Sequence, residues 1–339
     1  MSFESETHCL GPGPAKPIAS GPFAGTRRRV ATLVTALALF AACGAPDRPQ
    51  GTGDASAAPS APAAVRVSPT EAGPQGRVPQ FVVECGFSHA GPDDPIVHFG
   101  HSGRSHLHTF FGSTVAGAST TAADLAAGDT TCEQKLDRAA YWAPALLDGG
   151  RPVEPTGAAA YYRPGVGVDP TTVEPYPFGL KMIGGDQAAS APQSLDVVAW
   201  ACGTGSVRQA TPPACPVGRP LRLLVSFPDC WDGERLDSDD HVSHMARSAD
   251  GACPASHPVA VPQLLLAISY PVTGAGHELS LASGSVLTGH ADFFNGWDEH
   301  KLATEIADCI HGGVTCGVVS NRGLSERPSR VTGKQRESE

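Results

Sequence analysis

The sequence predicts an all-β or β-rich α+β protein: a single sandwich-like domain with long disulfide-linked loops and one or two short helices. Three observations support this prediction. The apolar segments are short and are bounded by Gly, Pro, Asp or Ser, as strands of antiparallel sheets are. The 39 glycines and 31 prolines indicate a chain rich in turns. Long helices do not alternate with the strands, which disfavours a parallel α/β fold.

Seven segments have the length and residue pattern of strands. Each contains apolar or alternating residues and ends at a turn-forming residue, so each can bury at least one face in a sandwich. The predicted strands are residues 81–85, 96–99, 107–111, 195–201, 221–227, 264–270 and 278–281.

Two segments are predicted to be helical. Residues 122–127 follow Thr120 and Thr121, which are suitable N-cap residues. In residues 297–311 apolar side chains recur every four residues, which is the spacing of one helix face, and a pair of glycines then ends the pattern.

The first 43 residues have the features of an export signal. Three arginines precede the apolar run at residues 30–42, which is too short to span a bilayer. Small residues before Cys43 resemble a lipobox, in which Cys43 would be lipidated and become the mature N-terminus. Cleavage near Ala41 or Ala42 and release of a soluble protein is the alternative. Both routes predict a secreted protein or a cell-surface lipoprotein, attached to a membrane only through an N-terminal lipid.

The remainder divides into a linker, one domain and a tail. Residues 44–77 are rich in Pro, Ala and Ser and contain few large apolar residues, so they are predicted to be a disordered linker. A single domain is expected at residues 78–320, followed by a polar tail at 321–339. The formal net charge is −10, and no concentrated basic surface is visible, which argues against a nucleic-acid partner. A polysaccharide or another cell-wall polymer is the expected partner class.

The cysteines predict a disulfide framework. Without Cys9 and Cys43, eight of the ten cysteines remain, and an even number in an exported chain favours four disulfides. Short spacings favour pairing of Cys202 with Cys215 and of Cys309 with Cys316. The sequence does not determine how the other four cysteines pair with one another.

The first candidate site is a cluster of four histidines at residues 98–108. His106 and His108 stand two residues apart, so in an extended strand their side chains point to the same face. Two neighbouring imidazoles are half of a metal site or an acid/base pair. The alternative is that His106 and His108 are hydrogen-bonded polar residues on an open sheet face.

The second candidate site follows Cys230. Three acids lie within residues 237–240, where they repel one another unless solvent or a cation screens them. Asp240, His241 and His244 are therefore candidate metal ligands or acid/base groups, and an oxygen-rich cation site is a variant of this hypothesis. The alternative is an acidic loop held by a disulfide, with Asp side chains capping turns.

The third candidate site is the segment at residues 290–297. His290 and Asp292 would share one face of a strand, as His106 and His108 would. Aromatic side chains beside such a polar pair can stack on sugars, although large aromatics are usually core residues. The aromatic candidates for substrate binding are Tyr141, Trp142, Trp231, Phe294 and Trp297.

These clusters resemble DUF1996, a domain of unknown function found in secreted proteins of actinobacteria and fungi, sometimes beside carbohydrate-binding WSC modules. The resemblance extends from about residue 94 to residue 309, and Phe99 stands where the family has proline. It implies a secreted setting but no reaction. The motifs that carry it are Ser-His-Leu-His at 105–108, Tyr-Trp-Ala-Pro-Ala-Leu at 141–146, Phe-Pro-Asp-Cys-Trp-Asp-Gly at 227–233, His-Val-Ser-His at 241–244 and His-Ala-Asp-Phe-Phe-Asn at 290–295.

Two functional hypotheses follow. The first is a metal-dependent hydrolase that acts on extracellular or cell-wall polysaccharide, with zinc or a similar divalent ion and one coordination position open to water. Asp240 or Asp292 would act as general base or orient a ligand. The second is a non-catalytic module that binds carbohydrate or holds a metal such as copper in a closed site. The candidate metal ligands are His106, His108, His241, His244 and His290.

Overall fold

A computed structural model describes residues 78–205 and 207–319. The predicted signal peptide with Cys43, the predicted linker at 44–77 and the predicted tail at 321–339 lie outside these residues. Within the described part of the chain, no helix has the length and apolar character needed to cross a membrane.

The described residues form seventeen strands, many of them short, and little helix. Helix α1 is Ala122–Ala127 and helix α2 is Glu299–Glu305, which continues as a π-helix at Ile306–His311. A short 3-10 helix covers Pro170–Thr172. The strands are β1 (Gln80–Cys85), β2 (Phe87–Gly91), β3 (His108–Gly112), β4 (Ala140–Pro144), β5 (Leu146–Asp148), β6 (Arg151–Pro152), β7 (Gly157–Arg163), β8 (Lys181–Gly185), β9 (Val198–Cys202), β10 (Leu221–Ser226), β11 (Cys230–Trp231), β12 (Met245–Ala246), β13 (Val259–Ala260), β14 (Gln263–Tyr270), β15 (Leu279–Leu281), β16 (His290–Phe294) and β17 (Thr315–Val318).

Two large sheets form a sandwich, as the sequence predicted. One sheet has six strands in the order β17-β1-β7-β14-β10-β9, and the other has five in the order β2-β3-β4-β16-β8. All pairings within them are antiparallel except the parallel pairing of β1 with β17. Two three-stranded sheets, β12-β11-β13 and β15-β5-β6, lie in the connections.

The main core lies between the two large sheets. Alternate residues of each strand point inward, so Leu223 and Val225 of β10 share one hydrophobic cluster with Tyr141 of β4 and Phe293 of β16. The outer face of the five-stranded sheet is also covered. There, Phe110 and its neighbours on β4 and β16 form a second cluster with residues from helix α1 and the connection between β2 and β3. Side chains of β3 and β16 that point away from the main core are therefore buried as well.

Four disulfides link the domain, in agreement with the sequence prediction. Cys202–Cys215 closes the connection between β9 and β10, and Cys309–Cys316 joins the π-helix to β17. Both pairs were predicted from their spacing and are confirmed. The remaining pairs, which the sequence left open, are Cys85–Cys132 and Cys230–Cys253.

Six of the seven predicted strands are present, with ends displaced by at most three residues. The strand predicted at 96–99 is wrong, because this segment forms a turn. The Asp94 carboxylate accepts hydrogen bonds from the backbone N–H groups of Ile96 (2.9 Å) and Val97 (3.0 Å), which holds the chain in the turn. Strand β7 was missed because its core is three alanines, which are weak strand formers.

Both predicted helices are present. Helix α1 has the predicted bounds, and Thr121 forms a capping box with Asp124. Helix α2 begins two residues later than predicted, because Asp298 is its N-cap and accepts a hydrogen bond from the N–H of Lys301 at 2.9 Å.

Candidate metal centre

Three histidines meet on the outer face of the five-stranded sheet. His108 is the first residue of β3, His290 is the first residue of β16, and His106 lies just before β3. Strand β4 runs between β3 and β16, so the two strand histidines stand about 10 Å apart at the backbone, which is two strand spacings. Their imidazoles converge across Pro144, the residue of β4 that pairs with His108.

The geometry of this group suits one metal ion. The potential ligand atoms of His106, His108 and His290 all lie within 4.8 Å of one another. The ring centroids of His106 and His108 are 4.2 Å apart, those of His106 and His290 are 5.1 Å apart, and those of His108 and His290 are 6.0 Å apart. Tetrahedral ligands at the 2.0–2.1 Å typical of zinc and imidazole nitrogen are about 3.4 Å apart, so small movements of these side chains would bring the three nitrogens onto one ion.

Backbone carbonyls orient two of the three rings. Nδ1–H of His108 donates to the carbonyl oxygen of Asp93 at 2.9 Å, and Nδ1–H of His290 donates to that of Thr288 at 2.9 Å. This tautomer leaves the lone pair on Nε2. The Nε2 atoms of His106 and His108 are buried and have no hydrogen-bond partner. Ligand histidines in metal sites commonly have one ring nitrogen bonded to a carbonyl and the other free for the ion.

The protonation states also favour metal binding. Burial, followed by the nearby His290 and His98, lowers the pKa of His106 to about 4. Burial lowers the pKa of His108 well below its usual value and lowers that of His290 as well. All three imidazoles are therefore neutral at neutral pH, which is the form that binds a metal.

Asp292 lies beside this group on the same face of β16. Only 1% of the residue is exposed, and its Oδ2 has no hydrogen-bond partner. Burial, and then the charge of Asp94, raises the pKa of the Asp292 carboxyl well above its usual value. Asp292 pairs with Trp142 of β4, whose Nε1–H is also buried without a partner. Burial therefore favours the protonated, neutral form of this carboxyl more than in an exposed aspartate.

Sequence reasoning did not single out Asp93, although it organises the loop before His106. Its carbonyl oxygen accepts from His108, and its carboxylate accepts from Ser102 Oγ at 2.7 Å and from the Gly103 N–H at 3.0 Å. The Gly-Pro-Asp-Asp-Pro segment at 91–95 is typical of a turn and was the available signal.

Of the five candidate ligand histidines, His241 and His244 do not join the group formed by the other three. His244 is fully buried, its Nδ1 bonds to Ser238 Oγ at 2.9 Å, and its Nε2 bonds to the carbonyl oxygen of Lys181 at 2.7 Å. Both ring nitrogens are thus used within the protein. Nδ1 of His241 bonds to Asp237 Oδ1 at 2.9 Å.

Asp240 stabilises a turn rather than facing the three histidines. Its Oδ1 accepts from Ser238 Oγ at 2.7 Å, from the Val242 N–H at 3.1 Å and from the Ser243 N–H at 2.8 Å. These hydrogen bonds lower the pKa of the carboxyl well below its usual value. The alternative interpretation of this segment, an acidic loop with capping Asp side chains, describes the geometry.

Four of the five aromatic candidates are core residues. Tyr141, Trp142, Phe294 and Trp297 are each at most 3% exposed, so their ring faces pack against protein and present no surface to a sugar. The hydroxyl of Tyr141 donates to Asp137 at 2.7 Å. Trp231 is partly exposed, and its indole N–H donates to the carbonyl oxygen of Arg235 at 2.6 Å.

Comparison with known proteins identifies the family. The family described as a domain of unknown function, DUF1996, matches residues 94–297, which is more than half of the chain and includes all three histidines. No curated protein and no solved structure matches the chain. The match agrees with the motifs in the sequence, and the chain belongs to the DUF1996 family.

Proposed function

We propose that this protein binds one divalent transition-metal ion through His106, His108 and His290 and is a metal-dependent hydrolase. One observation carries the proposal: three converging imidazoles, two of which have buried, unpartnered Nε2 atoms. A buried polar atom without a partner is costly, and a metal ion would satisfy both at once. Zinc or copper is the expected ion, because neutral imidazole is a preferred ligand of both.

A three-histidine set leaves a fourth tetrahedral position for water, as in catalytic zinc sites. A bound metal ion would lower the pKa of that water toward neutral and so supply a nucleophile for hydrolysis. The protein contributes neutral, oriented imidazoles at no cost of deprotonation, because burial already keeps them uncharged at neutral pH.

Asp292 is the proposed proton donor or acceptor of the site. Burial raises the pKa of its carboxyl well above the usual value, which favours the protonated form, and Asp292 stands two residues from His290 on the same strand face. A buried neutral carboxyl can donate a proton to a leaving group, which is the role of a general acid. Asp240, the other acid predicted from sequence, is tied to its own turn and is not assigned a role.

The proposed substrate is an extracellular or cell-wall polysaccharide, reached after export by the predicted leader. The support is a polar and aromatic region at the other end of β8 and β16. Lys181 pairs with Phe294, which is four residues, or about 13 Å, along β16 from His290. The Lys181 Nζ lies 5.6 Å from the ring centroid of Phe99, which is 49% exposed, and 3.1 Å from the carboxylate of Asp237. An exposed ring beside charged groups suits sugar stacking and hydroxyl recognition.

One observation favours the second candidate, a module that holds metal without catalysis. His108 is completely buried and His290 is 3% exposed, so the ion would be well enclosed. A closed site with four protein ligands is typical of structural metal or of metal capture. Access of water to the ion distinguishes this candidate from the hydrolase.

Cobalt substitution in the full-length protein tests the proposal. The visible spectrum of the Co²⁺ form is recorded against pH, because a tetrahedral site with bound water changes its spectrum when that water ionises. The proposal predicts one Co²⁺ per chain and a spectral transition near neutral pH, which Asp292→Asn displaces without loss of metal. A spectrum that does not change with pH supports the closed module. Failure of the protein to bind Co²⁺, Zn²⁺ or Cu²⁺ would contradict both candidates.

A further inference from the structure

A buried arginine lies on the opposite side of the molecule, in the six-stranded sheet. All six residues of β10 are buried, and Leu221, Leu223 and Val225 face the main core. Arg222 alternates with them and therefore faces outward, yet it is only 3% exposed. A guanidinium at such a position needs hydrogen-bond partners and a countercharge.

Only one of the three guanidinium nitrogens of Arg222 has a hydrogen-bond partner. Nη1–H donates to the carbonyl oxygen of Gly203 at 3.3 Å, but Nε and Nη2 are buried and have no partner. These two nitrogens form one edge of the planar guanidinium. That edge is the one that can bind both oxygens of a carboxylate through two parallel N–H···O bonds.

No acidic group of the described residues forms an ion pair with Arg222. An unpaired buried charge is strongly destabilising, and a protein retains one where something else supplies the opposite charge. We propose that Arg222 is the centre of an anion site whose ligand is a single carboxylate group, bound side-on to Nε and Nη2.

The residues that pair with Arg222 across the sheet are small. Its partner on β9 is Ala201 and its partner on β14 is Ser269, which in turn pairs with Gly157 of β7. This row of small residues spans about 14 Å across four strands. Directly paired side chains have Cβ atoms about 5 Å apart, so Ser269 lies beside Arg222 on the same face of the sheet.

The guanidinium is also held in place before any ligand binds. Gly203, which accepts the hydrogen bond from Nη1, has its own N–H bonded to the carbonyl oxygen of Pro220 at 2.8 Å. Its φ of 57° suits glycine, and the neighbouring Cys202–Cys215 disulfide closes the same connection. A fixed donor edge loses little freedom on binding, which favours recognition of a planar group.

The chemistry favours a carboxylate over a phosphate. One guanidinium supplies one positive charge, which balances a monoanion, whereas a phosphate dianion would leave excess negative charge in a buried place. Two sources of a carboxylate are compatible with the site: a small free carboxylate, or a glutamate of the chain's own terminal segment at positions 326, 337 and 339.

The test uses the full-length protein and acetate as the probe. Acetate replaces chloride at constant ionic strength up to about 100 mM, while the melting temperature and the NMR signal of the Arg222 Nε–H are recorded. Arg222→Lys keeps the positive charge but lacks the planar edge that Nε and Nη2 form in arginine. A second variant, Arg222→Met, replaces the charge by an apolar chain and serves if the lysine variant does not fold. A third protein carries Gln at positions 326, 337 and 339.

For a free ligand, acetate raises the melting temperature of the wild type by several degrees and shifts the Nε–H signal, and neither Arg222 variant responds. For a ligand from the chain itself, the wild type does not respond, but the glutamine variant melts at a lower temperature and gains the response to acetate. The proposal is overturned if neither the wild type nor the glutamine variant responds, or if Arg222→Lys responds as the wild type does. Metal content is unaffected in every case, because Arg222 lies on the other sheet.

Discussion

Two histidine groups in this protein have the same sequence character but different bonding. His106 and His108 stand two residues apart, and His241 and His244 stand three apart, each in a polar segment. His108 and His244 are both completely buried. Both nitrogens of His244 bond within the protein, whereas Nε2 of His108 has no partner.

This comparison shows that burial does not distinguish a ligand histidine from a structural one. What distinguishes them is whether the second ring nitrogen is already used. His244 joins Ser238 to the backbone of Lys181, and this links the loop after β11 to β8. In the candidate metal centre Nδ1 of His108 and of His290 is bonded to a carbonyl, whereas Nε2 of His106 and of His108 has no partner and could bind an ion.

The largest expected effect is on metal binding. His108→Ala removes one of three ligands and should weaken the affinity for Zn²⁺ by at least about 100-fold, because loss of even an outer-shell partner costs 10- to 100-fold. Isothermal titration of the full-length protein with Zn²⁺ measures this. His241→Ala is the matched control and should keep wild-type affinity and one ion per chain. Equal losses of Zn²⁺ affinity in both variants would show that the two histidine groups do not differ in their contribution to metal binding.

The second prediction concerns His244 and the stability of the fold. His244→Ala leaves Ser238 and a backbone carbonyl unsatisfied and opens a cavity, so the free energy of unfolding should fall by about 2–4 kcal/mol. Urea denaturation of the metal-free protein measures it. Zn²⁺ stoichiometry of the folded variant should remain one per chain. A variant that is as stable as the wild type would show that the two hydrogen bonds contribute little.

The third prediction concerns pH and the metal-free protein. The pKa of His106 is about 4 in the folded state and near its ordinary value of 6.5 in the unfolded state, so the unfolded chain binds more protons between these values. Stability should therefore fall as the pH drops from about 7 to about 4, by about 2 kcal/mol for this group after allowance for solvent screening.

His106→Asn isolates that contribution. The variant should have a smaller pH dependence of unfolding free energy in this window. A slope of opposite sign for the His106 contribution would mean that the ring is charged in the folded state. Bound Zn²⁺ should steepen the wild-type slope, because protons then compete with the ion.

Much of the fold and part of the site could be predicted from the sequence. Short bounded apolar runs predicted the sandwich, and close spacing predicted Cys202–Cys215. The i, i+2 rule placed His106 with His108 and His290 with Asp292 on common faces. Convergence of β3 with β16 across β4 depends on strand order, which the local pattern does not contain.

The other candidates are held by hydrogen bonds within the protein or are buried in the core. Sequence shows which side chains could bind a ligand but not which hydrogen bonds already occupy them. His244 and Asp240 have ligand chemistry, yet their atoms are used by Ser238 and by neighbouring N–H groups. Trp142 and Trp297 have sugar-stacking chemistry, yet both are buried in cores.

The smallest expected effect is that of the partly exposed His241. His241 bonds to Asp237, and about a quarter of each side chain is exposed, so solvent screens the pair. His241→Ala should change the unfolding free energy by less than about 1 kcal/mol, measured by urea denaturation at pH 7. A loss as large as that of His244→Ala would mean that the loop depends on this ion pair.

X-ray absorption at the metal edge of the Zn²⁺-loaded full-length protein tests the central claim most directly, because it identifies the atoms around the ion. Three imidazole nitrogens at about 2.0–2.1 Å are predicted, with one further light ligand that is oxygen in the hydrolase. The imidazole signal should be lost in the His106→Ala/His108→Ala double variant and retained in the His241→Ala/His244→Gln double variant. A shell of oxygen ligands alone, or a histidine signal that depends on His241 and His244 instead, would contradict the account.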